Sequence, residues 1–260
     1  MSSIAHLIYF SPTGTTKKIV EQIAAGMAPA TTRHYDLTRL PVGLELTLTD
    51  GVAIIGLPVY AGRLPVTCLE RLEQLSGAGV PAVLVVLYGN RAYEDALIEL
   101  RDLAAAKGFS VVAAGAFIGE HSYSTAARPI AAGRPDQTDL QQARTFGATI
   151  AQRLRTGTGA VDLDIPGAVP YKERPPFGGV APDTDSERCI LCGACAGVCP
   201  TFVIRVADRV VTAADNCLMC CACVRVCPEQ ARALTHPVTE ARRELLIRHC
   251  SAPRAPELFY

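Results

Sequence analysis

Residues 189–200 read CILCGACAGVCP, and residues 217–228 read CLMCCACVRVCP. Both runs place four cysteines at the spacing C-x-x-C-x-x-C-x-x-x-C followed by proline, and the second run begins 28 residues after the first. Nine of the 11 cysteines in the chain fall between 189 and 227. In a reducing compartment, cysteines clustered in this way are expected to be metal ligands rather than disulfides.

Four thiolates in so short a segment favour an iron–sulfur cluster over zinc. Two-residue gaps let one loop wrap around three irons of a [4Fe–4S] cluster, and the proline stops the chain from continuing as a helix. Zinc sites, the alternative, commonly use C-x-x-C pairs that lie a dozen or more residues apart. The repeat therefore predicts two [4Fe–4S] clusters.

The spacing resembles that of two-cluster bacterial ferredoxins, in which the fourth cysteine of each run binds the other cluster. The resemblance implies two sets of iron ligands: Cys189, Cys192, Cys195 and Cys227 form one, and Cys217, Cys220, Cys223 and Cys199 form the other. Cys221 lies outside the spacing. We expect it to be a packed thiol, like the isolated Cys68 and Cys250.

Upstream of the repeat, the first 155 residues alternate apolar strands with helical patterns. Strands are predicted at 4–10, 32–37, 51–57, 80–88 and 109–118, and helices at 14–28, 65–76, 93–107 and 138–155. Repeated strand–helix units indicate a doubly wound parallel sheet with right-handed crossovers. We therefore predict an α/β fold with a five-stranded, flavodoxin-like sheet of order 2-1-3-4-5, followed by a small α+β ferredoxin-like domain.

The predicted domain organisation has four parts. They are a flavodoxin-like domain at 1–156, a Pro/Gly-rich linker at 157–186, a ferredoxin domain at 187–236, and a C-terminal helix and tail at 237–260. The many prolines predict an extended, stiff linker. A small hairpin is expected between the two cysteine runs, from 202–204 and 210–211.

A loop rich in hydroxyl groups follows the first predicted strand. It contains Ser11, Thr13, Gly14, Thr15 and Thr16 at the start of the first predicted helix. Backbone N–H groups, hydroxyls and the positive end of a helix together suit a phosphate monoester, although an ordinary capped helix start is the alternative. The pattern resembles the [ST]-x-T-G-x-T loop of flavodoxins, which implies FMN.

In such a fold the flavin ring lies at the ends of the third and fourth strands. The first of these loops offers Pro58, Val59, Tyr60, Ala61 and Gly62, and the second offers Gly89, Asn90, Arg91 and Tyr93. Either tyrosine could stack on the ring, and Asn90 could bind its pyrimidine edge. Arg63 or Arg91 could raise the flavin potential if its charge reaches the ring; surface solvation is the alternative for both.

A long segment, residues 119–137, follows the fifth predicted strand. Its His121 and Tyr123 are candidate proton donors to a flavin or a bound substrate. The alternative is that this loop seals against the ferredoxin domain or the linker.

Charge and hydropathy exclude several classes of function. Twenty-five basic and 25 acidic side chains cancel, which argues against nucleic-acid or acidic-membrane binding. The longest apolar runs are too short to cross a membrane, and the N-terminus shows no secretory pattern, so a cytoplasmic protein is expected.

Taken together, the motifs resemble the flavodoxin–ferredoxin fusion proteins of prokaryotes. The resemblance implies an electron carrier that links FMN and two [4Fe–4S] clusters to redox proteins, such as a low-potential ferredoxin or a reductase. The alternative is an FMN/iron–sulfur reductase of a small acceptor (a quinone, nitro compound or disulfide), and a third possibility is a redox sensor or a module without flavin.

Overall fold

The structure is a computed structural model that describes residues 4–40, 45–157, 163–175 and 179–260. Its strands are β1 (Ile4–Tyr9), β2 (Thr31–Asp36), β3 (Leu46–Thr47), β4 (Val52–Pro58), β5 (Leu75–Ser76), β6 (Pro81–Tyr88), β7 (Ser110–Ile118), β8 (Asp183–Thr184), β9 (Ile204–Val206), β10 (Val210–Thr212), β11 (Arg232–Ala233) and β12 (Glu257–Phe259). Its α-helices are α1 (Thr15–Met27), α2 (Val66–Leu72), α3 (Ala96–Ala106), α4 (Gln137–Arg155), α5 (Ala194–Gly197), α6 (Ala222–Arg225) and α7 (Pro237–His249). Short 3-10 turns cover Leu37–Arg39 and Ala214–Asn216. Within the described ranges, no helix is long and apolar enough to cross a membrane.

A parallel sheet of order β2-β1-β4-β6-β7 dominates the N-terminal part, which we call the sheet domain (β1 to α4). Counted along the chain, this is the order 2-1-3-4-5, so the predicted doubly wound, flavodoxin-like fold is confirmed. The central strands β4 and β6 are buried along almost their whole length. Such continuous burial is expected for parallel strands covered by helices on both faces.

Helices cover the sheet on both faces and create two apolar cores. One core joins the sheet to α1 and α4, and the other joins it to α2 and α3. The backbones of α1 and α4 touch at two glycines. A Cβ at Gly26 would lie 1.9 Å from the Arg144 carbonyl oxygen, and one at Gly147 would lie 2.0 Å from that of Ile23. Larger side chains would force these helices apart.

Short strands account for the differences from the predicted sheet. The sheet has six strands rather than five, because β12 returns from the C-terminal tail and pairs antiparallel with the outer edge of β7. This pairing covers edge N–H and C=O groups that would otherwise be open. The helix predicted at 65–76 ends at Leu72, and β5 pairs with β3 beyond it. Two- and three-residue strands are too short to show a hydropathy period.

The segment predicted as a stiff linker packs against the sheet domain over 163–175. Leu163 and Ile165 are buried in the α2/α3 core. The Asp95 carboxylate accepts the backbone N–H groups of Ala168, at 2.9 Å, and Lys172, at 2.7 Å. This stretch is therefore part of the sheet domain's surface rather than a free spacer. The rest of the predicted linker includes 158–162 and 176–178, which lie outside the described residues.

The two cysteine runs fold as a structural repeat, which we call the cysteine domain together with α7 (β8 to α7). Each run contains one short helix, α5 or α6. The strand pair β9–β10 corresponds to the pair β11–β8. The left-handed backbone positions also recur 28 residues apart: Leu191 with Met219, Gly193 with Cys221, and Phe202 with Gln230. The predicted hairpin forms slightly later than expected, from Ile204 to Thr212.

Candidate cofactor sites

The predicted ligand cysteines line two separate cavities. The first, which we call the outer cysteine cavity, is lined by Cys189, Cys192, Cys195 and Cys227. The second, the inner cysteine cavity, is lined by Cys199, Cys217, Cys220 and Cys223, together with Cys221. The fourth cysteine of each run thus lines the cavity formed with three cysteines of the other run. Among the described residues, no three His, Cys, Asp or Glu side chains are placed to hold a single metal ion.

Burial makes the inner thiols difficult to ionise by themselves. It raises the pKa of Cys220 to about 12, and it raises that of Cys221 further. A buried thiolate needs a cation beside it, and the irons of a cluster would supply that charge. The chemistry of the inner cavity therefore fits an iron–sulfur cluster, and the outer cavity offers the same set of four cysteines.

The remaining cysteines differ in their surroundings. Cys221 is buried, and its Sγ lies 3.6 Å from the Met219 carbonyl oxygen. Cys68 is fully buried in the α2/α3 core, as expected for a packed thiol. Cys250 lies just after α7 and is only partly buried, so core packing does not describe it.

The hydroxyl-rich loop connects β1 to α1 and lines a cavity of about 60 Å³, the phosphate-loop cavity. Gly14 has a φ of 79°, which glycine adopts without strain, and it places the loop directly before the helix. The Ser11 hydroxyl accepts the Lys17 N–H at 3.1 Å, and the Ser11 N–H donates to the Thr38 hydroxyl at 2.8 Å. Ser11, Thr13, Thr15 and Thr16 all line the cavity. Hydroxyls at a helix N-terminus fit a phosphate group.

A larger cavity of about 670 Å³, which we call the ring cavity, adjoins the phosphate-loop cavity. The two share four lining residues: Val59, Tyr60, His121 and Ser122. The volume lies within the usual range for small-molecule sites, about 300 to 1,000 Å³. A phosphate in the smaller cavity and an aromatic ring in the larger one would suit one ligand, so the residues present fit FMN.

Most predicted ring contacts lie at these cavities. Pro58, Val59, Tyr60 and Gly89 line the phosphate-loop cavity, and Val59, Tyr60, Ala61 and Arg91 line the ring cavity. Burial raises the pKa of the Tyr60 phenol well above its usual value, so this hydroxyl stays protonated at neutral pH.

Gly62, Asn90 and Tyr93 do not line either cavity. The Asn90 amide donates to the carbonyl oxygens of Cys250, at 2.6 Å, and Ala252, at 2.9 Å. The Tyr93 hydroxyl donates to the Glu257 carboxylate at 2.6 Å. These side chains fasten the C-terminal tail, which the sequence did not place beside them.

Arg63 neither reaches the cavities nor lies in solvent, so both expectations for it are wrong. Its guanidinium forms a buried two-point ion pair with Glu99, at 2.8 and 2.9 Å, and lies 4.7 Å from the centre of the Tyr171 ring. Glu99 comes from α3, and its Oε1 also accepts from Arg174. Arg91 does line the ring cavity, but it is paired with Glu94.

His121 and Tyr123 both line the ring cavity. The His121 Nδ1 accepts the Tyr123 N–H at 3.0 Å, so the ring proton of a neutral imidazole lies on Nε2. Burial, reinforced by the charges of Arg91, Arg225 and Arg243, lowers the pKa of His121 to about 4. His121 is therefore a neutral hydrogen-bond donor at neutral pH, not a charged acid.

The long loop that carries these residues also contacts the cysteine domain. Arg225 donates to the His121 carbonyl oxygen at 3.3 Å, and Arg243 donates to that of Tyr123 at 2.7 Å. Met219 Sδ lies 3.7 Å from the Tyr123 hydroxyl. The loop thus lines the ring cavity and also contacts the cysteine domain.

Residues of the cysteine domain complete the cavities, and sequence reasoning did not find them. Leu218, Met219 and Arg242 line the ring cavity, together with Lys172 and Arg174 of the packed 163–175 segment. Cys220 lines both the phosphate-loop cavity and the inner cysteine cavity. Arg71 of α2 also joins the two domains, because its guanidinium donates to the Pro200 carbonyl oxygen. Such contacts have no sequence spacing that would reveal them.

Residues 181–250 match the family described as a 4Fe-4S dicluster domain. Comparison with curated proteins gave no match. The structure resembles a flavodoxin from the domain Archaea (15% identity, 58% of this chain and 99% of that chain, TM-score 0.43) and flavodoxin 1 of Bacillus cereus (17%, 58% and 98%, 0.43). It also resembles a Fusobacterium nucleatum flavodoxin bound to flavin mononucleotide (18%, 61% and 99%, 0.41).

The strand order and the family match together define the class of this protein. The chain joins a flavodoxin-like α/β domain to a 4Fe-4S domain, which confirms the predicted flavodoxin–ferredoxin fusion. This combination of domains indicates an iron–sulfur protein that transfers electrons.

Proposed function

We propose that this protein carries electrons between two [4Fe–4S] clusters and FMN, and that it links redox proteins to the flavin. Cys189, Cys192, Cys195 and Cys227 would hold the outer cluster, and Cys199, Cys217, Cys220 and Cys223 the inner one. FMN would place its phosphate at Ser11–Thr16 and its ring in the ring cavity. When bound, the clusters supply single electrons, and the flavin can hold one or two.

One observation carries this proposal: Cys220 lines the inner cysteine cavity and the phosphate-loop cavity at once. An inner cluster would therefore lie beside the flavin, with Leu218 and Met219 of the same run against the ring cavity. The arginine contacts between the two domains would keep the distance from the inner cluster to the flavin fixed.

The first test is anaerobic purification followed by measurement of iron, sulfide and flavin per chain. We expect about eight irons, the content of two [4Fe–4S] clusters, and one FMN. About four irons would contradict the two-cluster part. Full iron without flavin, even after FMN is added, would contradict the flavin part and leave the sheet domain as a docking module.

A matched pair of variants tests the phosphate loop. Thr15→Glu puts a carboxylate in the first turn of α1, where it suits the helix dipole but repels a phosphate. We expect weaker FMN binding than in Thr15→Ala. Thr145→Glu, on the exposed surface of α4, is the control and should bind FMN normally. Equal binding by all three variants would argue against this loop as the phosphate site.

The size and lining of the ring cavity favour a second candidate function, reduction of a small acceptor at the flavin. This alternative needs an open pocket over the flavin, and Tyr60, His121 and Tyr123 line the ring cavity, whereas Tyr93 does not. Anaerobic turnover assays with a quinone, a nitro compound and an aromatic disulfide, driven by reduced viologen, test this function. Many turnovers would favour the enzyme, and a single stoichiometric oxidation would favour the carrier.

A further inference from the structure

Arg232 is a buried cation in the middle of the cysteine domain. It lies on β11 and is 3% exposed. Its guanidinium donates to the hydroxyls of Thr184, at 2.7 Å, and Thr212, at 3.0 Å. Its Nε is buried without a hydrogen-bond partner. In the part of the chain that the structure describes, no carboxylate forms an ion pair with it.

This side chain reaches both groups of cysteines. Arg232 lines the outer cysteine cavity beside Cys195 and Cys227. Its Nη2 also lies 3.6 Å from the Sγ of Cys223, which lines the inner cysteine cavity. One side chain therefore borders both cysteine cavities.

The internal repeat shows that the fold does not need a cation at this position. Arg232 corresponds to Ile204, 28 residues earlier, which is also buried and packs against Cys195, Cys199 and Cys223. An aliphatic side chain thus fills the equivalent space in the other half. The charge at 232 breaks the symmetry of the repeat and calls for an explanation other than packing.

Burying a charge costs free energy unless a charge of opposite sign accompanies it. We propose that Arg232 is a shared counter-charge for both clusters, whose thiolate ligands supply the missing negative partner, and that it raises the midpoint potentials of both. A cation favours the reduced cluster, which has gained one electron and is the more negative form. The inference rests on the two-cluster function proposed above.

The test is an EPR-monitored redox titration of the full chain, purified anaerobically with iron counted per chain. Arg232→Gln removes the charge, Arg232→Lys keeps it, and Arg232→Ile copies the other half of the repeat. Arg205→Gln, on the exposed face of β9, is the control. In Arg232→Gln we expect the equilibrium constant for reducing each cluster to fall about tenfold, which is about 59 mV for one electron. Arg232→Lys should recover most of that shift, and the control should show none.

Unchanged potentials in Arg232→Gln at full iron content would overturn the proposal. If the neutral variants lose iron, Arg232→Lys decides the question. Iron retained in this variant at the parent potentials supports the counter-charge, whereas iron lost from it too shows that Arg232 acts through shape and hydrogen bonding. A parent protein with about four irons would instead overturn the two-cluster function itself.

Discussion

The two cysteine runs share one backbone conformation but have opposite surroundings. In the first run, Ile190 is 62% exposed, Leu191 is 40% exposed and Cys192 is also exposed. In the second run, the equivalent Leu218 is half-buried, and Met219 and Cys220 are buried against the sheet domain. The difference teaches that one repeat can build two kinds of site. The covered run lines the phosphate-loop and ring cavities, and the open run presents apolar side chains to solvent.

Removing one ligand from each run gives the largest expected effect. We expect Cys220→Ala and Cys192→Ala each to lose one cluster, leaving about four of about eight irons. In Cys220→Ala, the cluster that remains is separated from the flavin, because Cys220 borders the phosphate-loop cavity. In Cys192→Ala, the cluster beside the flavin remains.

Stopped-flow flavin reduction by a small reductant distinguishes the two variants, with Cys221→Ser as a control that should keep all its iron. We expect flavin reduction through the remaining cluster in Cys192→Ala. Cys220→Ala should fall to the rate of protein stripped of both clusters. Equal rates would contradict the assignment of an inner and an outer site.

A charge on the open run should slow electron exchange with a protein carrier. Ile190→Glu places a carboxylate on the exposed apolar surface beside the outer cysteine cavity. Loss of one well-packed interface contact costs about 1.4 kcal/mol of binding free energy, which corresponds to a tenfold higher dissociation constant. We expect a tenfold higher half-saturating concentration of a reduced bacterial ferredoxin.

Val238→Glu provides the control, because Val238 is similarly exposed but lies on α7. It should leave the half-saturating concentration unchanged. If both variants weaken exchange alike, or neither does, the partner meets a different surface.

Much of the architecture could be predicted from the sequence, because its signals are local and periodic. The central strands β4, β6 and β7 show as apolar runs, and the cysteine runs show as a repeat. The uses of Asn90 and Tyr93 could not be predicted, because they depend on where residues 250–257 return in space. The ion pair of Arg63 could not be predicted either, because its partner Glu99 lies 36 positions away on a different element.

The first run has Gly193 where the second run has Cys221. This difference predicts a smaller effect, on the free energy of unfolding. Gly193 has a φ of 77°, and no described atom lies within 4 Å of a Cβ built there. Gly193→Ala therefore adds backbone strain of about 1 kcal/mol without a clash. We expect the melting temperature to fall by about 2 to 4 °C, measured anaerobically by circular dichroism.

Gly197→Ala is the matched control for this variant. Gly197 also has open space around its Cβ position but lies in α5 without a positive φ. It should not lower the melting temperature. An equal loss in both variants would show that the strain at 193 is not the cause. Cys221, at the same left-handed position in the covered run, tolerates a φ of 58° where its side chain is buried.

The smallest expected effect concerns His121, which the covered run contacts through Arg225. Its pKa is lowered to about 4, so the folded protein favours the neutral imidazole and takes up a proton only as the pH falls towards that value. The difference in flavin midpoint potential between the parent and His121→Gln should therefore stay constant between about pH 5 and pH 8. His249→Gln, at the exposed end of α7, is the control and should match the parent throughout. A difference that changes near the ordinary histidine pKa of about 6.5 would show that His121 exchanges a proton with the site, which would favour the enzyme over the carrier.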